Sequence, residues 1–226
     1  MARLLPLLEF RECVIADDDP LRWYYHPLLG RLYQRRVDVA VGLIPPGRRV
    51  LEVGYGSGTS LLELDDRFRE VHGVDAHGYG GRIAEIFARH GVRLRLSRGS
   101  VDALPYASER FDAVLALSIL EHLPVDSQDG AMREIRRVLR PGGIVVVGVP
   151  GLNALMSVAF RLMGCDIRQH HFSSPRVVRA AATRHFAIDR VVTQPPGAPA
   201  ALMTYQWFRG LKARSPLPPT CGTSGS

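Results

Sequence analysis

Residues 49–75 read RVLEVGYGSGTSLLELDDRFREVHGVD. The apolar run Val50 to Val53 ends at a turn spaced by Gly54, Gly56 and Gly58. The pattern predicts a helix over 58–66 and a second strand from Val71 to Val74, closing on Asp75. Strand, tight loop, helix and strand with an acid at its tip is the layout that holds a nucleotide-like ligand over a parallel sheet. Glycines allow the tight angles and leave room for a ligand on the main chain. The helix that follows offers its first amides to a polar or negative group.

The loop also separates ligand classes. A phosphate-binding loop of the ATPase type ends in GK[ST], and here Thr59 follows Gly58 with no lysine. A dinucleotide fingerprint needs a third glycine where Thr59 stands, which disfavours a nicotinamide-linked oxidoreductase. The motif is instead ExGxGxG, with Glu52 two residues before Gly54. Close-set acids oppose a pyrophosphate and suit a ligand carrying an ammonium and a sulfonium. Asp75 is placed to accept both hydroxyls of a ribose.

Outward from this stretch the βα alternation continues. Tyr79 to Arg89 reads as a helix stopped near Gly91, and Val92 to Leu96 as a third strand. Phe111 to Leu117, FDAVLAL, has the unbroken apolar character of a strand buried on both faces. Asp126 to Leu139 is an amphipathic helix ended by Arg140-Pro141-Gly142-Gly143, and Ile144 to Val149 a fifth strand. Beyond Pro150, Asn153 to Met163 and a stretch from Ser173 or Ser174 to Ala182 read as helices; Phe186 to Val192 and Ala201 to Phe208 read as two last strands. The expected domains are a helical N-terminal segment, 1–44, as a lid or a clasp; a core at 45–208 with a short substrate cap at 151–185; and an unstructured tail, 209–226.

Composition sets the outer bounds. The 226 residues are 46% hydrophobic, enough for one large core. No apolar run approaches the roughly 20 residues that cross a bilayer. The opening MARLLPLLEF is broken by Pro6 and Glu9, so it does not read as a secretion signal, and the expected location is cytoplasmic. Cys13, Cys165 and Cys221 are odd in number and far apart, which suits a reducing compartment and supports no cysteine-based zinc site. The net charge of +7 comes from residues 151–226, with nine basic and two acidic side chains. These positives are scattered singly, which disfavours nucleic acid and leaves an anionic small molecule as an option.

With LEVGYGSG, VHGVD, GSVDALPY, FDAVLALSILEHL and MREIRRVLRPGGIVVVGVP in this order, the chain resembles class I S-adenosylmethionine-dependent methyltransferases of the broad small-molecule domain family. The resemblance covers about 45–150 and loosely extends to 208. It implies an α/β, Rossmann-like fold: a mostly parallel seven-stranded sheet with an antiparallel last strand and helices on both faces. It implies S-adenosylmethionine as cofactor, with Glu52, Gly54, Tyr55, Gly56 and Gly58 at its amino-acid end and Asp75 and Ala76 at its ribose. Where relatives carry an adenine-binding aspartate this chain has Ser100, so the adenine contact falls to Ser100 or Asp102, beside Val101. Ser118 and Ile119 would line the methionine portion, with Tyr33 or Tyr25 reaching its carboxylate and Tyr55 narrowing the mouth.

Methyl transfer from a sulfonium is an in-line displacement, so the protein chiefly aligns the partners and excludes water. A hydroxyl acceptor also needs a base. The candidates are His122 at the end of the fourth strand, His170 and His171 in RQHHFSSP, and His26. Arg161, Arg168 and Arg176 flank the same wall. Asp166 is close to the paired histidines, but no spaced ligand set completes a metal site, and none is expected. The reading is a cytoplasmic monomer or homodimer that methylates an oxygen or nitrogen of a small metabolite. Its rivals are a nucleic-acid methyltransferase and a non-catalytic cofactor-binding partner of the same fold.

Overall fold

The computed structural model describes residues 4–10, 21–27, 29–151, 153 and 172–214. Seven strands form one sheet: β1 (Gly47–Val53), β2 (Phe68–Asp75), β3 (Leu94–Arg98), β4 (Phe111–Leu117), β5 (Leu139–Pro150), β6 (Ala187–Gln194) and β7 (Tyr205–Leu211). Their order is β3-β2-β1-β4-β5-β7-β6. All pairs are parallel except those of β7, which runs antiparallel to both β5 and β6. The strand order reverses between β1 and β4, and a crevice at such a switch point is where sheets of this kind bind ligands.

The helices are α1 (Leu21–Tyr24), α2 (Gly30–Gly42), α3 (Leu61–Asp65), α4 (Gly80–Arg89), α5 (Val125–Val138) and α6 (Pro175–Thr183). Strand side chains alternate between faces, and two cores follow from that alternation. Val50, Ala113, Leu115, Val146 and Trp207 face the layer of α2, α3 and α4. Leu51, Val53, Val114, Ala116, Val145, Val147 and Phe208 face α5 and α6. Coverage on both sides explains why the central strands read as continuous apolar runs. Trp207 is fully buried, and its Nε1–H donates to the Arg36 carbonyl at 3.0 Å, fastening α2 to β7.

Several boundaries differ from the sequence expectation, among them the start of β2 at Phe68 instead of Val71 and of β5 at Leu139 instead of Ile144, and three of the shifts trace to backbone hydrogen bonds. The first core helix begins at Leu61, not at residue 58, because Gly58 has φ +81 and closes a turn onto the Tyr55 carbonyl. The third strand begins two residues late. Gly91, at φ +80, and Val92 close α4 with paired bonds to Ala88 and Phe87, so Val92 belongs to the helix cap. The last strand starts at Tyr205, because the amides of Leu202 and Met203 turn back onto the Pro199 carbonyl. The helix expected at 153–163 lies outside the described residues apart from Asn153; the tail expected to be unstructured from 209 begins inside β7, which runs to Leu211 in register with β5 and β6, and its residues beyond 214 lie outside the described residues. No described helix is long and apolar enough to cross a membrane.

Candidate active site

The glycine loop sits at the carboxyl end of β1. Gly54, Gly56 and Gly58 all have positive φ, 71, 49 and 81. Gly54 has a second constraint: a Cβ there would lie 2.7–2.9 Å from the Ile119 side chain. Ile119, on the turn after β4, thus closes directly onto the loop. The Gly56 N–H donates to Asp75 Oδ2 at 2.9 Å, and His77 Nε2 lies 3.0 Å from the Gly56 carbonyl. The His77 amide donates to Asp75 Oδ1 at 3.3 Å. Asp75 is therefore oriented by the loop that it faces.

Glu52 is buried beneath this loop. Ser60 Oγ donates to its Oε1, while Oε2 has no partner among the described residues. Burial pushes its carboxyl up to about 8; Ser60 opposes that shift and the nearby Asp75 charge adds to it. Tyr55 turns inward: its ring packs edge-on to His77 at 5.0 Å and is only 4% exposed. A Cβ at Gly73 would lie 2.7 Å from that ring, and one at Gly80 would lie 2.8 Å from its hydroxyl. Those two glycines make the slot that Tyr55 fills. Burial raises the phenol, which has no hydrogen-bond partner among the described residues.

Along the β2–β3 side, Ala76, Ser100 and Asp102 are exposed, Asp75 is half-buried and Val101 is buried in the core. Arg137 pins the following loop through the Leu104 and Tyr106 carbonyls at 3.0 and 2.7 Å. Glu134 completes the clamp by accepting from the Leu104 amide at 2.9 Å.

Across the crevice, Ser118 takes the left-handed conformation, φ 53, and its Oγ lies 2.8 Å from the Tyr205 hydroxyl. A short turn, Leu120–His122, follows. Within it Glu121 is fully buried, with both carboxyl oxygens lacking a hydrogen-bond partner among the described residues. Burial raises this carboxyl to about 8, opposed in part by its own backbone N–H and then by the field of Arg36. The Arg36 guanidinium stacks 4.1 Å from the Tyr33 ring centre and 4.8 Å from that of Tyr205. Tyr33 is 4% exposed, stacks on Trp23 and meets Tyr24 edge-on.

The structure thus gathers Glu52, the glycine loop, Asp75, Ser118 and Ile119 around one crevice. His122 is half-buried on the same turn as Glu121. Arg176 is exposed at the start of α6. His170, His171, Arg161, Arg168 and Asp166 lie outside the described residues. Among the described residues no three His, Cys, Asp or Glu side chains converge as a metal site. Sequence reasoning missed the cluster of Arg36, Glu121 and Tyr205. Its one trace in the sequence is Glu121 in the EHL run, beside His122.

Known proteins resemble this arrangement. A family model described as a methyltransferase domain matches residues 50–143. Sterol 24-C-methyltransferase ERG6B of Gibberella zeae is 38% identical over 106 residues, which are 45% of this chain and 27% of the relative. A ubiquinone biosynthesis O-methyltransferase of Alkalilimnicola ehrlichii is 32% identical over 122 residues, 53% and 48% of the two chains. The chain thus spans about half or less of the length of these curated relatives. Among solved structures, the N-methyltransferase NodS from Bradyrhizobium japonicum WM9, in complex with S-adenosyl-L-homocysteine, superposes with a TM-score of 0.65 at 18% identity, covering 88% of this chain and 94% of that one. A protein described as the [4+2]-cyclase SpnF gives 0.64 at 20% identity, covering 80% and 81%. At such identities the fold is shared, and the reaction has to be argued from the site.

Proposed function

We propose that this chain, whose residues 50–143 match a family model described as a methyltransferase domain, transfers a methyl group from S-adenosylmethionine to an oxygen or nitrogen of a small molecule. The observation that carries the proposal is Glu52. It is a buried carboxyl with one oxygen unpartnered beneath a glycine loop whose own amide orients Asp75. An unpartnered buried carboxyl oxygen there fits a ligand bearing an ammonium, whose positive charge favours the ionised form of Glu52.

The bound cofactor supplies an electrophilic methyl carbon on a sulfonium. Everything else is binding and alignment by the chain. Glu52 and the main chain of Gly54, Tyr55, Gly56 and Gly58 hold the amino-acid end. Asp75, with Oδ2 already accepting from Gly56, keeps lone pairs for the ribose hydroxyls, and Ala76 lies beside them. Val101 supplies an apolar wall for the adenine, with Ser100 or Asp102 at its edge. Ser118 and Ile119 flank the methionine portion, and Tyr33 approaches its carboxylate. His122, His170 and His171 are base candidates. The segment 1–44 acts as a clasp on the domain, in keeping with the packing of α2 into the core, and 151–185 as a substrate cap. We extend the proposal to a cytoplasmic monomer or homodimer whose acceptor can be anionic.

The test is release of S-adenosylhomocysteine from S-adenosylmethionine across a panel of small phenols, amines and carboxylates, with RNA as a separate arm. Turnover with a small molecule supports the reading. Turnover with RNA alone, or cofactor binding without turnover on any acceptor, contradicts it.

A further inference from the structure

The glycine loop and the tip of β2 are joined by a third group, the imidazole of His77. Three hydrogen bonds close a ring among them. The Gly56 N–H donates to Asp75 Oδ2 at 2.9 Å, and the His77 N–H donates to Asp75 Oδ1 at 3.3 Å. His77 Nε2 lies 3.0 Å from the Gly56 carbonyl. A fourth contact assigns the tautomer. The Tyr79 N–H donates to His77 Nδ1 at 3.2 Å, so Nδ1 is an acceptor and a neutral ring carries its proton on Nε2, aimed at the Gly56 carbonyl. Gly56, at φ 49, is thereby held from both sides, its amide by Asp75 and its carbonyl by His77.

The imidazole is itself held in place. Its side chain is 15% exposed, the Tyr55 ring meets it edge-on at 5.0 Å, and the Tyr79 ring lies tilted at 5.9 Å. Nε2 stands 3.8 Å from Asp75 Oδ2, beyond hydrogen-bond reach, so the ring does not occupy that oxygen. Each Asp75 oxygen therefore accepts from one main-chain amide. An ionised carboxyl offers about four acceptor positions, two on each oxygen. One position on each oxygen stays open, the pattern that two neighbouring hydroxyls of a ribose require. Without the imidazole the Gly56 carbonyl loses its anchor, its amide can leave Oδ2, and the carboxyl is free to turn.

We propose that His77 is a positioning residue of the cofactor site: its imidazole ties the glycine loop to the tip of β2 and so fixes Asp75 toward the ribose. The proposal rests on the methyltransferase reading given above. His77 does not meet the cofactor; it acts through Asp75. The competing role is confined to the chain, with Nδ1 bracing the turn into α4, which starts at Gly80, and no consequence for the ligand. The two ring nitrogens let these roles be separated. Asparagine carries Oδ1 as many bonds from Cα as Nδ1 is, so it keeps the bond from the amide two residues on but falls short of Gly56. Glutamine carries Nε2 as many bonds from Cα as the imidazole Nε2 is, so it keeps a donor for Gly56 and gives up Tyr79.

S-adenosylhomocysteine is the probe, titrated calorimetrically into wild type, His77→Ala, His77→Asn and His77→Gln, with Tm read on each. His77→Ala and His77→Asn are each expected to bind about tenfold more weakly, and His77→Gln within about threefold of wild type. Stability is expected to run the other way, with His77→Asn closer to the wild-type Tm than His77→Gln. In an Asp75→Ala background, His77→Ala should weaken binding by less than about twofold more, because the group it positions is gone. Wild-type affinity in His77→Asn, or affinity in His77→Gln no better than in His77→Asn, would overturn the proposal. So would an undiminished loss in the Asp75→Ala background, which would mean that His77 meets the cofactor itself. Should His77→Ala fail to fold, the asparagine and glutamine variants still decide. If wild type bound no S-adenosylhomocysteine, the underlying methyltransferase reading would fall, and this proposal with it.

Discussion

Replacing Gly54 by alanine tests whether the glycine loop and the turn after β4 are locked together as described. Gly54 sits at φ +71, where a side chain costs about 1–2 kcal/mol. The new Cβ would also lie 2.7–2.9 Å from three atoms of Ile119, an overpacking that costs about 1–3 kcal/mol. The expected destabilisation is therefore about 2–5 kcal/mol, or a Tm lower by roughly 4–20 °C for a chain of this size. Relief can come only by moving Ile119, which lines the crevice, so affinity for S-adenosylhomocysteine should fall by about tenfold or more as well. Gly130→Ala is the control. It lies within α5 with nothing inside 4 Å of its added Cβ, and should stabilise by about 0.5–1 kcal/mol. Thermal denaturation and calorimetry on the two variants read both effects. A Gly54→Ala protein that melts and binds like wild type would refute the reasoning.

Two further predictions concern pH. Glu52 is raised from 4.5 to about 8, so the folded state binds more protons than the unfolded chain between those values, and stability contributed by its neutral form is lost as pH rises through that window. Glu52→Gln should flatten the fall in Tm between pH about 5 and 8; an unchanged slope would count against a neutral buried Glu52. Asp129 is held at about 2 by His185 first and then Arg133, a contact joining α5 to the residues just after α6. Its contribution is present above its ordinary value of 3.8 and is lost as pH falls through about 2, so Asp129→Asn should lessen the acid-side loss of Tm.

Much of this fold was legible because its signals are local. The largely apolar runs at Val50–Val53 and Phe111–Leu117, each interrupted by a single acid, mark strands covered on both faces, and the spacing of Ala131, Ile135 and Val138 marks the buried stripe of α5. Three of the misplaced boundaries come from backbone hydrogen bonds that apolar periodicity does not register: the turn closed by Gly58, the cap at Gly91 and Val92, and the turn on Pro199. In the site, the loop and Asp75 lie within one continuous stretch, so their meeting could be read. Tyr55, expected at the mouth of the loop, instead fills a slot opened by Gly73 and Gly80, a three-dimensional fit with no sequence periodicity. Arg36, Glu121 and Tyr205 come from α2, the turn after β4 and β7, and only the sheet order brings them together. That is why their cluster was invisible before the fold was known.

The most direct measurement is calorimetric titration of the protein with S-adenosylmethionine and with S-adenosylhomocysteine, using NAD as the comparison and Asp75→Ala as the variant. The account predicts saturable binding of both sulfur ligands, none of NAD, and at least about tenfold weaker binding in Asp75→Ala, since removing a carboxylate strips the ribose hydroxyls of their acceptor. Absence of both sulfur ligands at millimolar concentration, or saturable binding of NAD in their place, would contradict it.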